Sequence, residues 1–257
     1  MHMSSFAIAS ISAACIFAGA MLGILLQQRL PGHHLSKEMQ DLVKLSAGTV
    51  ATLTALVLGL LVSSAKTSFD GVNAAMVQGG AKYIVLDRTL ARYGPEATPV
   101  RALLKKVLAD GIESVWPSQH GAEKALTVVE KRGGVELLMD GLDALSPRND
   151  SQRQLLAQAR QLTNELGLTR WLLVEQAKTE LPIPLLVILV FWLFLLFVSF
   201  GLFAPKNWTA VIVLFIGACA ISGAIFLVLE LNEPLDGFIK VSNAPLRNAL
   251  HHLGEMH

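Results

Sequence analysis

Residues 45–65 of the chain read LSAGTVATLTALVLGLLVSSA, and none of these 21 side chains carries a charge. An α-helix rises about 1.5 Å per residue, so about 20 apolar residues cross a hydrocarbon core of about 30 Å. The stretch therefore predicts a helix that spans a membrane.

Three further runs of the same kind flank this stretch. They cover residues 6–26, 181–204 and 208–229, and each has at least 21 residues without Asp, Glu, Lys or Arg. Charged residues make up 16% of the chain, against about 25% in soluble domains. We expect an all-α integral membrane protein with two spans on each side of a polar insert. The small residues Ala18-Gly19-Ala20 are compatible with the cleavage site of a signal peptide. The start of the chain, however, lacks the basic residues of such a peptide.

The insert, residues 66–181, has the periodicity of helices. Apolar residues recur three or four apart along four segments, which predicts an antiparallel helical bundle. The first segment continues the second span and stops at Gly94-Pro95. The second begins at Thr98-Pro99 and stops at Pro117. The predicted domains are residues 1–65, 66–181, 182–230 and 231–257.

The other two segments of the insert complete the bundle. The third runs from Ala122 to Leu145, with an interruption at Gly133-Gly134. The fourth begins near Asp150 and reaches Pro182 at the mouth of the third span. The first and last segments are therefore predicted to be extensions of membrane helices.

Basic residues indicate the orientation. Lys and Arg number 15 in the insert and two in the tail, against four on the opposite side. Because cytoplasmic loops are enriched in Lys and Arg, we expect the insert and both termini to be cytoplasmic.

The four spans differ in their side chains. The third is bulky all round and is expected to face lipid, whereas Gly19, Gly23, Gly217 and Gly223 predict close helix packing in the first and fourth. The second has a small, partly polar face. This face favours either helix packing or the lining of a pore for small anions, and it consists of Thr49, Thr52, Leu56, Gly59, Ser63 and Lys66.

Several functional classes lack support in the sequence. Catalytic motifs are absent, so we expect neither an enzyme nor a cofactor. The net charge of +1 argues against nucleic acid as a partner. Cys15 and Cys219 lie inside predicted spans and suit packing rather than a disulfide or zinc site. Glu230, Glu233 and Asp236 are three nearby carboxylates without EF-hand spacing, so they are weak metal candidates and no metal site is predicted.

Three segments together resemble a known family. They read LGLLVSSAKTSFD at 58–70, LDRTLARYGPE at 86–96 and ELNEPLDGFIKVSNAPL at 230–246. They are similar to the bestrophin-like proteins of bacterial membranes, which resemble the bestrophin anion channels more distantly. The resemblance implies the bacterial plasma membrane, a homo-oligomer (a pentamer in true bestrophins) and a second span that lines the pore.

The chain also departs from true bestrophins. Leu56, Gly59 and Leu60 stand where a bulky aromatic constriction is expected, and the Arg-Trp-Trp element is missing. The leading hypothesis is an oligomeric membrane protein that conducts anions. The alternative is a non-conducting, membrane-anchored helical scaffold that binds a cytoplasmic partner.

Overall fold

A computed structural model of the chain describes residues 4–30, 37–116, 133–177, 183–205, 207–235 and 237–254. Within these ranges every regular element is a helix, in agreement with the predicted all-α class. The 3₁₀ helix Pro95–Ala97 follows the second α-helix. The α-helices are α1 (Ser5–Arg29), α2 (Lys37–Tyr93), α3 (Thr98–Val115), α4 (Gly134–Asp143), α5 (Asp150–Ala177), α6 (Ile183–Leu202), α7 (Trp208–Leu231) and α8 (Ala244–His252).

The chain divides into two compact units. The first, here the apolar unit, comprises Met1–Ser68 and Glu180–Glu233; the second, here the bundle unit, comprises Phe69–Thr179 and Pro234–His257. Four of the described helices are long and apolar enough to cross a membrane, namely α1, α2, α6 and α7. They contain three of the four runs in full and residues 183–202 of the run 181–204.

Glycines bring α1 and α6 into backbone contact in the apolar unit. A Cβ atom on Gly23 would lie 2.1 Å from the carbonyl oxygen of Val198, and one on Gly201 would lie 2.1 Å from that of Ala20. Neither site can hold a side chain without separating the helices. Gly201 lies just beyond the bulky stretch of the third run, and its tight contact with α1 was not predicted from the sequence.

Helix α7 packs on the same α1 by a hydrogen bond and an aromatic pair. The buried hydroxyl of Ser222 donates to the carbonyl oxygen of Ala9, and the rings of Phe17 and Phe215 meet edge to face at 5.3 Å. A Cβ atom on Gly217 would lie 3.5 Å from the Phe197 ring, which is ordinary van der Waals contact. Helix α1 is therefore held by a helix on each of two faces.

In the bundle unit, the predicted stop of the long second helix is confirmed. Helix α2 ends at Tyr93, and Gly94 has φ of +129°, a conformation that side chains disfavour. Thr98 is the first residue of α3 rather than its cap, because the 3₁₀ helix carries the chain directly into α3. The predicted start of the fourth segment at Asp150 is confirmed. Residues 122–132 of the third segment, and the join of the fourth to the third span, lie outside the described residues.

Polar contacts fix α2 and α5 as antiparallel neighbours. Lys82 Nζ lies 3.3 Å from a carboxylate oxygen of Glu165, and the amide nitrogen of Gln152 donates to the carbonyl oxygen of Tyr93. Later positions on α2 thus meet earlier positions on α5. The core between the helices is apolar, and its buried residues include Leu86, Leu90, Leu104, Leu138, Leu142, Leu156, Ala159 and Leu166.

The tail reinforces the bundle through another glycine. A Cβ atom on Gly80 would lie 2.8 Å from the carbonyl oxygen of Pro245, at the start of α8. Ala249 of α8 and Leu253, which directly follows α8, are buried in the bundle core. Gly80 therefore allows the tail to approach α2 closely, and α2 stays helical through it.

Replacing Gly23 with Ala tests the α1–α6 contact. The added methyl group would collide with the Val198 carbonyl, so we expect the free energy of unfolding to fall by about 1–3 kcal/mol. Thermal unfolding of the detergent-solubilised protein measures the change. The matched control is Gly223→Ala, because a Cβ atom at Gly223 meets nothing within 4 Å. Equal melting temperatures for the two variants would contradict the contact.

Candidate functional site

The six residues of the predicted polar face all lie exposed on one side of α2. They are Thr49, Thr52, Leu56, Gly59, Ser63 and Lys66. Successive residues of a helix are about 100° apart, which places the six within a sector of about 100°. In the same part of α2 the buried residues are Thr54, Leu61 and Ala65, on the opposite side. One face of α2 thus packs inside the chain and the other lies uncovered.

Two hydroxyl groups on this face are satisfied within the helix. Thr49 Oγ1 donates to the carbonyl oxygen of Leu45 at 3.1 Å, and Thr52 Oγ1 donates to that of Gly48 at 2.9 Å. Such bonds lower the cost of a hydroxyl in an apolar medium. Their oxygen lone pairs stay available, and a hydroxyl must turn its hydrogen outward before it can donate to an anion.

A large side chain and a glycine follow one another in the middle of the face. Leu56 is 60% exposed, and one turn later a Cβ atom on Gly59 would meet nothing within 4 Å. Gly59 is therefore not required for close packing within the chain. Neither Asp nor Glu occurs between Thr49 and Lys66, so the formal charge of the face is that of Lys66.

The uncovered face of α2 differs from that of α6. Exposed side chains of α6 are large and apolar, and they include Val187, Ile188, Phe191 and Leu195. Such side chains suit contact with lipid tails. The exposed side of α2 also carries Leu45, Leu56 and Leu60. Between these leucines it presents hydroxyls and a glycine, which suit contact with water or with a polar solute.

The structure describes two of the three tail carboxylates, Glu230 and Glu233. Glu230 is buried, Glu233 accepts a hydrogen bond from Ser5 Oγ at 3.3 Å, and Asp236 lies outside the described residues. Where the structure describes the chain, no group of three His, Cys, Asp or Glu side chains could hold a metal ion.

A buried ion pair was not predicted from the sequence. Asp87 accepts two hydrogen bonds from Arg101, at 2.8 Å from Nε and 2.9 Å from Nη2. The hydrogen bond to Asp87 raises the pKa of Arg101 above its ordinary value. Asp87 belongs to the segment 86–96 that carries the family resemblance. Its contact with Arg101 indicates that this segment helps to hold the helices of the bundle together. No local pattern points from Asp87 to Arg101, because the pair joins two helices.

An exposed apolar stripe on α5 was also overlooked. Leu168, Trp171 and Leu172 lie on one face, and Trp171 is 59% exposed. These side chains point away from the buried residues Leu156, Ala159 and Leu166. Three large apolar residues spaced i, i+3 and i+4 outside the core stripe are the signal that could have revealed this surface.

The packed apolar helices, with the uncovered polar face on α2, are features of a helical membrane protein. Sequence comparison then gives its family. The sequence model of the Bestrophin-like domain matches residues 14–246. The chain belongs to the Bestrophin-like family. No match was found among curated protein sequences.

Solved structures show the same fold. Two single-residue variants of a bacterial bestrophin homologue from Klebsiella pneumoniae are similar over nearly the whole chain. One has a TM-score of 0.67 at 14% identity and covers 95% of this chain and 96% of its own. The other has a TM-score of 0.68 at 15% identity and covers 98% of each chain.

Tyr83 provides a pH test of the bundle core. Burial raises the pKa of Tyr83 from 10.0 to about 12, opposed by the charge of Arg170. Above pH 10 the unfolded chain therefore loses its tyrosine proton first, and the contribution of Tyr83 to stability declines until the pH passes about 12. We expect the melting temperature of Tyr83→Phe to fall less steeply than that of the wild type between pH 10 and 12. Parallel slopes would contradict the raised pKa.

Proposed function

We propose that the protein is the subunit of a homo-oligomeric anion channel in a bacterial plasma membrane. Four helices span the bilayer, and the insert and both termini are cytoplasmic. The face of α2 from Thr49 to Lys66 surrounds the axis of the oligomer. The observation that carries this proposal is that this face is exposed along its whole length and that its six residues include three hydroxyls, a glycine and a lysine.

The proposal follows from what a bilayer does to such a face. Lipid tails offer no hydrogen-bond partners, so polar groups within a membrane protein face its interior or water. A single copy leaves the face of α2 uncovered. A ring of copies would surround it and fill the axis with water, which fits the homo-oligomer that the family resemblance implies.

Charge and width favour small anions in this arrangement. Each copy would bring one cation, Lys66, and no carboxylate to the face between Thr49 and Lys66. A ring of lysines concentrates anions at the end of a pore. Leu56 would form the narrow ring and Gly59 a wider one beside it.

Substituting Gly59 with Leu tests the path. Because the site is open within the chain, we expect the protein to fold while chloride flux into liposomes falls about tenfold or more. Leu56→Ala should leave a wider pore and equal or higher flux. The control is Gly223→Leu, which adds the same side chain to an equally open glycine of α7. Equal flux for the two leucine variants would rule out α2 as the path.

Inverting the charge of Lys66 tests selectivity. Lys66→Glu would replace a ring of cations with a ring of anions, so we expect the ratio of anion to cation permeability to fall about tenfold. Reversal potentials across planar bilayers measure that ratio. Lys106→Glu is the charge-matched control on α3, and a ratio altered equally by both changes would contradict the role of Lys66.

One observation favours the alternative, a non-conducting scaffold with a cytoplasmic partner. The stripe of Leu168, Trp171 and Leu172 is a set of exposed large apolar side chains on the bundle unit, a feature of protein-binding surfaces. The scaffold predicts no flux above that of empty liposomes. It also predicts that Trp171→Ser abolishes partner capture by the full chain, whereas Gly59→Leu leaves capture unchanged.

A further inference from the structure

A closed loop with an apolar tip follows α7. The backbone nitrogen of Val241 donates to the carbonyl oxygen of Pro234 at 2.9 Å. Both residues of this base are buried, and Val241 packs against Val72 and Met76 of α2. We name the described residues 234, 235 and 237–241 the tail loop. Its base is thus held by packing and by a hydrogen bond.

The tip of the tail loop presents two apolar side chains and a cation. Phe238 is 84% exposed, more than any other large hydrophobic residue in the described part of the chain, and Ile239 beside it is also exposed. Lys240 follows and is exposed. Many loops turn their apolar residues inward, against the protein. The tail loop does the opposite, because its base is held in place while the apolar residues of its tip are exposed.

Chain length keeps the tail loop close to the end of a membrane helix. Helix α7 has 24 residues, hence a length of about 36 Å, which exceeds a hydrocarbon core of about 30 Å. Its ends must therefore enter the headgroup layers. Only Asn232 and Glu233 separate Leu231 from Pro234, and three extended residues cover about 10 Å. The covalent chain therefore keeps Pro234 within about 10 Å of Leu231.

The chemistry of the tip matches phospholipid headgroups. Aromatic side chains favour the boundary between headgroups and acyl chains, and lysine extends its ammonium group to the phosphates. We propose that the tail loop is a lipid-binding anchor, in which Phe238 and Ile239 enter the bilayer interface and Lys240 binds acidic phospholipid. This inference rests on the proposed topology, in which α7 spans the membrane.

Fluorescence quenching in vesicles tests the anchor. In a background with Cys15→Ala and Cys219→Ala, a fluorophore is attached at Ile239→Cys, which leaves Phe238 in place. The full chain is reconstituted in phosphatidylcholine with or without phosphatidylglycerol. Quenchers are iodide in water and nitroxides at the headgroup or along the acyl chain. Labels at Ser151→Cys, on the exposed surface of α5, and at Ile216→Cys, midway along α7, are the controls.

We expect the label at position 239 to be quenched by headgroup nitroxides and at least about threefold less by iodide than the label at Ser151. Adding Phe238→Asp should return iodide quenching to the level at Ser151. Adding Lys240→Gln should remove the effect of phosphatidylglycerol.

Two outcomes would overturn the anchor. Full iodide quenching would place the tip in water, and protection from both iodide and lipid nitroxides would mean that protein, such as a second copy, covers it. The label at Ile216 keeps the topology separate, because acyl-chain nitroxides should quench it whatever the tip does. If they do not quench it, the proposal that α7 spans the membrane is wrong.

Discussion

A membrane interior offers no water to the peptide backbone, and this constraint governs the structure. Each N–H and C=O group that crosses the bilayer must find its partner within the chain, which leaves the helix as the economical solution for each apolar run. Helix α2 is the longest of the described helices, with 57 residues from Lys37 to Tyr93. Its hydroxyls follow the same rule, since Thr49 and Thr52 donate to carbonyls of their own helix.

Packing in such a medium depends on shape, because the attraction of apolar surface for itself is weak where the solvent is also apolar. The contact of α1 with α6 shows this directly. Gly23 and Gly201 remove side chains where the two backbones meet, and Ser222 adds one hydrogen bond from α7. Helix α2 stands apart, because its small residues Gly59 and Ser63 lie on an exposed face.

Local features of the fold were predictable from the sequence. Apolar runs mark the long helices, Gly94-Pro95 marks the end of α2, and the polar face of α2 is visible as a period of three or four residues. Contacts between distant segments were not predictable. Nothing in the sequence around Gly80 indicates its close approach to Pro245, and nothing around Asp87 indicates its contact with Arg101. These pairs depend on where whole helices lie, which no short window of sequence records.

The distance along the chain between α1 and its partners has a consequence for synthesis. Gln27, near the end of α1, donates to the carbonyl oxygen of Ala204 across a separation of 177 residues. At about 5–20 residues per second, the ribosome needs roughly 10–40 s to make that stretch. During this interval the glycines of α1 have no helix α6 to receive them. A nascent chain stalled within the insert would therefore carry an unpaired first helix, open to lipids, chaperones and membrane proteases.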